Sequence, residues 1–516
     1  MATEEKKPRG PDLSAGIPAA ELTEGAMLTG HIGDDEVLLV RQRGKLFALS
    51  AHCTHYHGPL ADGLLVDETI RCPWHHAHFN LQTGEALAAP ALAPVTCWSV
   101  EENGGKIFVK DKKAQPASGK TGAKERMVIV GGGAAGFAAA EMLRRRGFAG
   151  RMSMLSNDDA APVDRPNLSK DYLAGSAPED WVPLRGEDWY AENKIDLKLK
   201  TEVVALDTKG KEVTLADGSK IKFDKLLLAT GAEPVRLPIP GTDQPHVHTL
   251  RSFNDCRAII ANAKSAKRAV VIGASFIGLE AAAALRAREI EVHVVAPEKL
   301  PLERVFGPQL GEFIRVLHEE HGVKFHLGNS VNAIEGKRVT LRSGGTLEGD
   351  LVVVGVGVRP RLTLAEKAGL AIDKGVSVNE FMETSAPGVY AAGDIARWPD
   401  PISGERIRVE HWVVAERQGQ VAALNMMGVK TPFKSAPFFW SQHYDVPINY
   451  IGHAETWDDL DIEGNIESRD CLVRYRRNAK VLAVASIFRD VDNLKEEAAM
   501  KRAGLVGSAA RPQASC

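Results

Sequence analysis

Two stretches of this chain share one pattern, MVIVGGGAAGFAAAEMLRRRG at 127–147 and RAVVIGASFIGLEAAAALRAR at 268–288. Each is an apolar run of strand length, a glycine turn and an alanine-rich helix. Glycines in that turn permit a tight reversal, let the backbone approach a pyrophosphate and let the helix pack closely on the strand. The phosphates then rest at the helix N-terminus. The first glycines fall at Gly131 and Gly273, so the pattern predicts two Rossmann-like α/β domains and two nucleotides. At 516 residues the chain is also too long for one core, and three or four domains are expected.

The segments on either side read differently. Residues 13–112 contain short β segments such as VLLVRQ, KLFALS and KIFVKD, separated by turn residues. An all-β domain is expected there. Residues 113–125 are rich in Lys, Ala, Gly and Ser, which bury too little apolar surface to order themselves, so this stretch reads as an interdomain linker. The α/β region then divides into a first nucleotide domain (126–250), a second (251–355) and a return to the first (356–432). A small α+β domain is expected over 433–516, with the tail AGLVGSAARPQASC disordered.

A net charge of −3 argues against a nucleic-acid partner. The first sixteen residues lack the apolar core of a secretory signal, and the apolar runs AVVIGASFIG and LVVVGVGV are too short to span a membrane. Six scattered cysteines do not form a disulfide framework. A cytoplasmic protein fits these features.

CTHYHGPL (53–60) and CPWHHAHFN (72–80) carry the next signal. A Rieske centre needs two thiolates on one iron and two imidazoles on the other. Cys53-x-His55 and Cys72-x-x-His75 supply one of each from two loops bounded by Gly58–Pro59 and Pro73. Singly, these residues would read as buried cysteines and surface histidines. A tetrahedral zinc site is the sharper rival, although zinc fingers usually pair cysteine with cysteine and histidine with histidine. His57, His76 and His78 read as a solvated or hydrogen-bonding rim.

Residues 13–112 thus resemble a Rieske-type ferredoxin domain. High-potential members of that family carry an additional cysteine in each loop, joined as a disulfide. Tyr56 and Trp74 stand in that region here. The resemblance is to the ferredoxin-type branch, expected near the low end of the Rieske range, about −150 mV.

In the first α/β unit, Gly131, Gly133 and Gly136 form the turn, and an acid after the next strand should bind ribose. RMSMLSNDD offers Asp158 or Asp159, and spacing to the following motif selects Asp158. DRPNLSK (164–170), LLLATGAEP (226–234) and VYAAGDIAR (389–397) resemble the two-dinucleotide-binding flavoproteins, specifically their ferredoxin-reductase and apoptosis-inducing-factor-like branch, from about 127 to 450. The glutathione-reductase-like fold and an FAD follow from that resemblance. It implies that Asp394 binds the ribityl chain, Arg165 lies near the FAD phosphates, and Lys170 approaches the flavin ring paired with Glu280. Val203, Thr230, Gly231 and Arg236 join the same cofactor-contacting set. RVEHWVVAERQGQ (408–420) and PFFWSQ (437–442) match the branch's flavin loop and aromatic segment. The match implies His411 and Trp412 beside the flavin and Trp440 on the nicotinamide side. Lys170, Glu280 and Trp440 are the expected catalytic residues.

The second unit, Gly273-Ala-Ser275-Phe-Ile-Gly278, has serine where the middle glycine stands, a change that weakens the bare motif. GASFIGLE nevertheless resembles the Rieske-fused apoptosis-inducing-factor-like proteins. The end of the next strand decides between nucleotides, since an acid there suits NAD and basic residues suit NADP. Ala296 occupies the usual position and Glu298 follows, with Lys299 and Arg304 nearby. NADH is the favoured donor, with NADPH as the alternative, and Gly357 completes the expected contacts. Outside the N-terminal domain Cys256, Cys471 and Cys516 are far apart in sequence, so a disulfide-reductase mechanism is not expected.

These features predict an NAD(P)H-dependent flavoprotein reductase that passes electrons through FAD to a [2Fe–2S] cluster and on to an external acceptor, whether oxygenase, cytochrome or ferredoxin. The chain is expected to act as a monomer or homodimer. The alternative is a slow NADH-responsive redox sensor or assembly protein. A Rieske oxygenase is not expected, because no 2-His-1-carboxylate grouping is evident.

Overall fold

In the computed structural model, residues 9–115 and 119–509 are described. The N-terminal domain pairs a six-stranded antiparallel sheet with a four-stranded one. An inner strand of the larger sheet, Asp35–Gln42, carries the run VLLV buried at all four positions. Successive strand side chains point to opposite faces, so such a run needs cover on both sides. Val37 and Leu39 pack with Trp98, Ile107 and Val109. Leu38 and Val40 pack on the other side with Phe79, Cys53 and Cys72. The two cysteines therefore belong to a core built by the sheet, which fixes their position from below.

The first α/β domain has a five-stranded parallel sheet in the order 195–198, 151–155, 126–130, 225–228 and 389–391. The last strand comes from the return segment. Gly131 has φ +122°, and a Cβ there would lie 2.0 Å from the Ala229 carbonyl oxygen, so only glycine fits. The second domain repeats the sheet in the order 247–249, 351–354, 268–272, 291–296 and 323–327. Its edge strand Val247–Thr249 pairs in parallel with Val352–Val354, so this domain begins before residue 251, where it was placed from sequence. Two antiparallel segments, Ala232–Pro234 and Val358–Pro360, bridge the domains.

The C-terminal domain is a five-stranded antiparallel sheet with the helix Asp490–Ala509. That helix continues through residues 503–509, where disorder was expected. Its polar outer face hid a helix whose inner face is held by packing. The rest of that tail, 510–516, lies outside the described residues.

The linker also differs from expectation. Lys113 N donates to the Cys97 carbonyl at 2.8 Å, and Thr121 N donates to the Gly147 carbonyl at 3.0 Å. Each end is pinned by the domain it leaves or enters. Residues 116–118 lie outside the described set.

Candidate redox site

The two cysteine–histidine loops are built alike. Cys53 N donates to Gly58 O and Cys72 N to Ala77 O, each at 2.9 Å, while His57 N and His76 N donate back to the Cys53 and Cys72 carbonyls at 3.1 and 3.2 Å. His57 and His76 both take φ +58° to close these turns. Gly58 lets the loops meet, since a Cβ there would lie 2.8 Å from Cys72 Sγ and 3.2 Å from Trp74 Cδ2. The two thiols influence each other. Hydrogen bonding to Cys72, with burial, pushes the Cys53 thiol up, and the same bond lowers Cys72.

His55 Nδ1 and His75 Nδ1 face each other at 3.2 Å. Two nitrogens each about 2.1 Å from one tetrahedral metal would stand about 3.4 Å apart. Burial pushes His55 down to about 3 and His75 well below the imidazole range, which leaves both rings in the neutral, ligating form. Among the described residues, no three or more His, Cys, Asp or Glu side chains are placed to hold one metal ion together. A sulfur pair and a nitrogen pair suit two irons and do not suit a single zinc. The four side chains fit a Rieske [2Fe–2S] cluster.

Of the expected solvated or hydrogen-bonding rim, His76 takes the hydrogen-bonding form, and both it and His78 are buried. His76 Nδ1 lies 2.9 Å from Glu497 Oε2, on the C-terminal helix. Arg417, from the helix Trp412–Met426, reaches Glu497 Oε1 at 2.9 Å, the His76 carbonyl at 2.6 Å and the Ala89 carbonyl at 3.0 Å. Arg71 and His78 approach Glu497 at 3.6 and 3.7 Å. Burial would raise Glu497, but Arg417 and His76 hold it well below the usual carboxylate range. Three domains meet at this one carboxylate. The N-terminal domain is thus docked on the reductase and is not loosely tethered. The Tyr56 hydroxyl donates to buried Asp164, and Arg145 pairs with Glu85, across the same junction.

The cluster's histidine edge faces the cleft of the first α/β domain. The His75 ring lies 4.2 Å from the Trp440 ring, and Lys170 Nζ lies 5.9 Å from that indole. Trp440 therefore packs against the cluster loop, where a nicotinamide-facing position was expected, because the docked domain occupies that face. Lys170 Nζ reaches Glu280 Oε2 at 2.8 Å. Glu280 also accepts from Ser169 and Ser441 hydroxyls at 2.6 and 2.7 Å, and these partners with Lys170 lower its pKa against the opposing effect of burial.

Around the first glycine turn, Arg165 reaches Asp158 at 3.1 Å and its guanidinium stands near the Cβ position of Gly133. Arg251 reaches Asp394 Oδ2 at 2.5 Å, and its buried Nε has no partner. Two guanidiniums beside a glycine turn, one with an orphaned N–H, fit the diphosphate of FAD. Burial, then the nearby Arg251, lowers Arg165. The His411 ring lies 4.5 Å from Phe439, and burial pushes it down to about 3. Trp412 hydrogen-bonds buried Glu416, whose pKa is raised well above the carboxylate range by burial and Asp164. Gly231 accepts from Arg361 N, and Thr230 Oγ1 donates to the Arg361 carbonyl. Val203 begins the antiparallel strand Val203–Asp207, and Arg236 lines a separate cavity with Thr242, His248 and Asp255. The structure does not bring Arg236 into the Gly131 cluster.

At the second turn, Ser275 sits at φ −85° and caps the helix Phe276–Ala287, accepting from Gly278 N at 3.2 Å and donating to the Gly355 carbonyl at 2.6 Å. The serine that departs from the bare glycine motif thus supports the turn, since an unstrained N-cap satisfies a free helix N–H. Glu298 lies just past the strand Glu291–Ala296, and Gly357 takes φ +102° in open space. Sequence reasoning missed Arg251, Tyr56, Asp164, Arg417 and Glu497. Only the basic residue closing HTLR (248–251), near the first domain's end, hinted at Arg251.

Comparison with known proteins matches residues 125–419 to the family described as pyridine nucleotide-disulphide oxidoreductase and residues 15–99 to the Rieske [2Fe-2S] domain. Apoptosis-inducing factor 3 of Homo sapiens is 33% identical over 91% of this chain and 81% of its own length. Rhodocoxin reductase of Rhodococcus erythropolis is 34% identical over 71% of this chain and 87% of its own. The solved covalent putidaredoxin reductase–putidaredoxin complex superposes with a TM-score of 0.72 at 33% identity, over 74% of this chain and 94% of that one. Among the described residues the cysteines are all free, and no helix is long and apolar enough to cross a membrane. The chain belongs to the pyridine nucleotide-disulphide oxidoreductase family, as an FAD-dependent NAD(P)H oxidoreductase that carries a Rieske [2Fe–2S] domain.

Proposed function

We propose that the chain is a ferredoxin-reductase-like enzyme in which electrons from NAD(P)H leave FAD through the docked Rieske cluster for an external acceptor. The observation that carries this reading is the row Lys170, Trp440, His75: the cluster's histidine edge sits 4.2 Å from an indole that itself stands over the flavin-side lysine. When bound, FAD takes two electrons as hydride and releases them singly, which matches a one-electron cluster. The residues supply position. Gly131, Gly133, Gly136, Arg165 and Arg251 hold the diphosphate, Asp158 and Asp394 the sugar hydroxyls, and Lys170 with Glu280 holds a positive charge beside the flavin's reactive edge. Cys53, Cys72, His55 and His75 hold the irons, and Trp440 excludes water between the two centres.

NADH is the proposed donor, since Ala296 and Glu298 leave the ribose end without a committed phosphate site. The acceptor belongs to the class of oxygenases, cytochromes or ferredoxins, which the names of the reductase relatives support. Trp74, 42% exposed and beside Gly58, and Tyr56, 38% exposed and stacked on His55, are the aromatics of the cluster loops that reach solvent. A cytoplasmic monomer or homodimer completes the reading. Cys53→Ser tests it: NADH should still reduce the flavin while the cluster signal disappears. Loss of both in a folded variant would refute the relay.

The match to apoptosis-inducing factor 3 over 91% of this chain favours one second reading, a slow NADH-responsive sensor. Anaerobic stopped-flow kinetics separate the two. Fast reoxidation by a one-electron acceptor supports the reductase, and an inert reduced state supports the sensor.

A further inference from the structure

A file of hydrogen-bonded groups leads away from the Lys170–Glu280 pair, and electron transfer alone has no use for it. Ser441 Oγ donates to Glu280 Oε1 at 2.7 Å and lies 3.2 Å from His443 Nε2. His443 Nδ1 lies 3.1 Å from His318 Nε2, and His318 Nδ1 lies 3.3 Å from the Tyr444 hydroxyl. Ser441, His443 and His318 are fully buried, while Tyr444 is half-buried and stacks on His321 at 3.6 Å. Burial pushes His443 down to about 4 and His318 far lower, so each ring is neutral, with one N–H and one lone pair.

Every member of such a file can accept one hydrogen bond and donate one. With Glu280 ionised, Ser441 donates to it, so Ser441 must accept from His443 Nε2–H, His443 Nδ1 from His318 Nε2–H, and His318 Nδ1 from Tyr444. With a proton on Glu280 Oε1, all four bonds reverse. One concerted shift between these states moves one proton along the whole file.

The proposed reaction leaves such a proton behind. A hydride brings one proton and two electrons from NADH, and the cluster takes only the electrons, one at a time. One proton per NADH must therefore reach solvent, from a cleft whose mouth is covered by Tyr56, His75 and Trp440. We propose that Glu280, Ser441, His443, His318 and Tyr444 form a proton exit from the flavin cleft to the surface, an inference that rests on the reductase reading. Lys170 Nζ gives a proton to Glu280 and takes up the one left at the flavin. With the proton on Glu280 Oε1 and the file switched to its second state, the shift back to the first passes it to Ser441 and onward, and water takes the last from Tyr444. No other bond is made or broken. The rival role is a static strut, because His318 lies on the helix Glu303–Glu320 and His443 on the strand Phe438–His443.

Two measurements on the holoenzyme separate these roles. Nitrogen-15 NMR of the resting, histidine-labelled protein should find His318 and His443 protonated on the same ring nitrogen, Nε2. Protons on opposite nitrogens would empty the 3.1 Å contact and overturn the proposal. In anaerobic stopped flow with a pH-indicator dye, His318→Phe should slow proton release about a hundredfold relative to cluster reduction, the low end for a lost proton-transfer group. Tyr444→Phe, at the half-buried end, should slow it less and serves if His318→Phe does not fold. Release that keeps pace with cluster reduction in the folded variants would leave only a strut. If NADH fails to reduce the cluster in the unaltered protein, the reductase reading falls, while the tautomer result still judges the file.

Discussion

Glu497→Gln is the perturbation most informative about how this protein is assembled. The substitution keeps shape and removes one charge. It leaves Arg417, 2% exposed, and Arg71, 4% exposed, without their counter-ion at the junction of three domains. Breaking a buried ion pair by removing one partner costs about 3–5 kcal/mol. Arg145 and Arg146 also reach Glu85 across the junction, in a setting more exposed than that of Glu497. Among these ion pairs the buried carboxylate is therefore the one whose loss costs the junction most. At 1.36 kcal/mol per tenfold, its loss shifts the docking equilibrium by roughly two to three and a half decades. Limited proteolysis around residues 113–125 should then cut the variant well before the parent, with the N-terminal domain still carrying its cluster. NADH-dependent cluster reduction should fall while flavin reduction is kept. Equal protease resistance and an unchanged cluster-reduction rate would refute the view that Glu497 holds the domains together.

Acid should weaken the same junction. Burial holds His78 near 3 when docked, against about 6.5 when free, so the undocked state binds more protons between those values. That contribution is complete above about pH 6.5 and is lost as pH falls toward 3, with Glu497, held low when docked, adding to the loss at the acid end; protease susceptibility against pH checks it. Gly58→Ala places a Cβ 2.8 Å from Cys72 Sγ, and the purified protein should hold less iron and sulfide per chain than its parent. Lys170→Gln leaves Glu280 buried with only serine hydroxyls for support. Denaturant titration should show about 3–5 kcal/mol lost at pH 8 and less at pH 5, where the carboxyl can take a proton.

Features set by local pattern were readable from the sequence. The run VLLV announced a strand, the glycine turns announced two nucleotide domains, and the unequal Cys–His spacings announced two loops meeting at one cluster. Resemblance carried the pairing of Lys170 with Glu280, which are 110 residues apart. The docking was hidden for a physical reason. His76 and Glu497 are 421 residues apart, and a glutamate in EEAAMKR reads as a solvated helix face until a second domain buries it. The linker misled in the same way, because its composition describes an isolated segment while the domains at its ends fix it. Trp440 was placed as an aromatic of the flavin cleft, but no local signal tells which partner covers it.

The central claim is that the cluster takes electrons from the flavin within one molecule, across the Trp440–His75 contact. Rapid-freeze EPR of the anaerobic holoenzyme mixed with NADH tests it most directly. The account predicts a Rieske signal that rises with a first-order rate independent of protein concentration. A signal whose rate scales with protein concentration, or that never forms although the flavin bleaches, would contradict it.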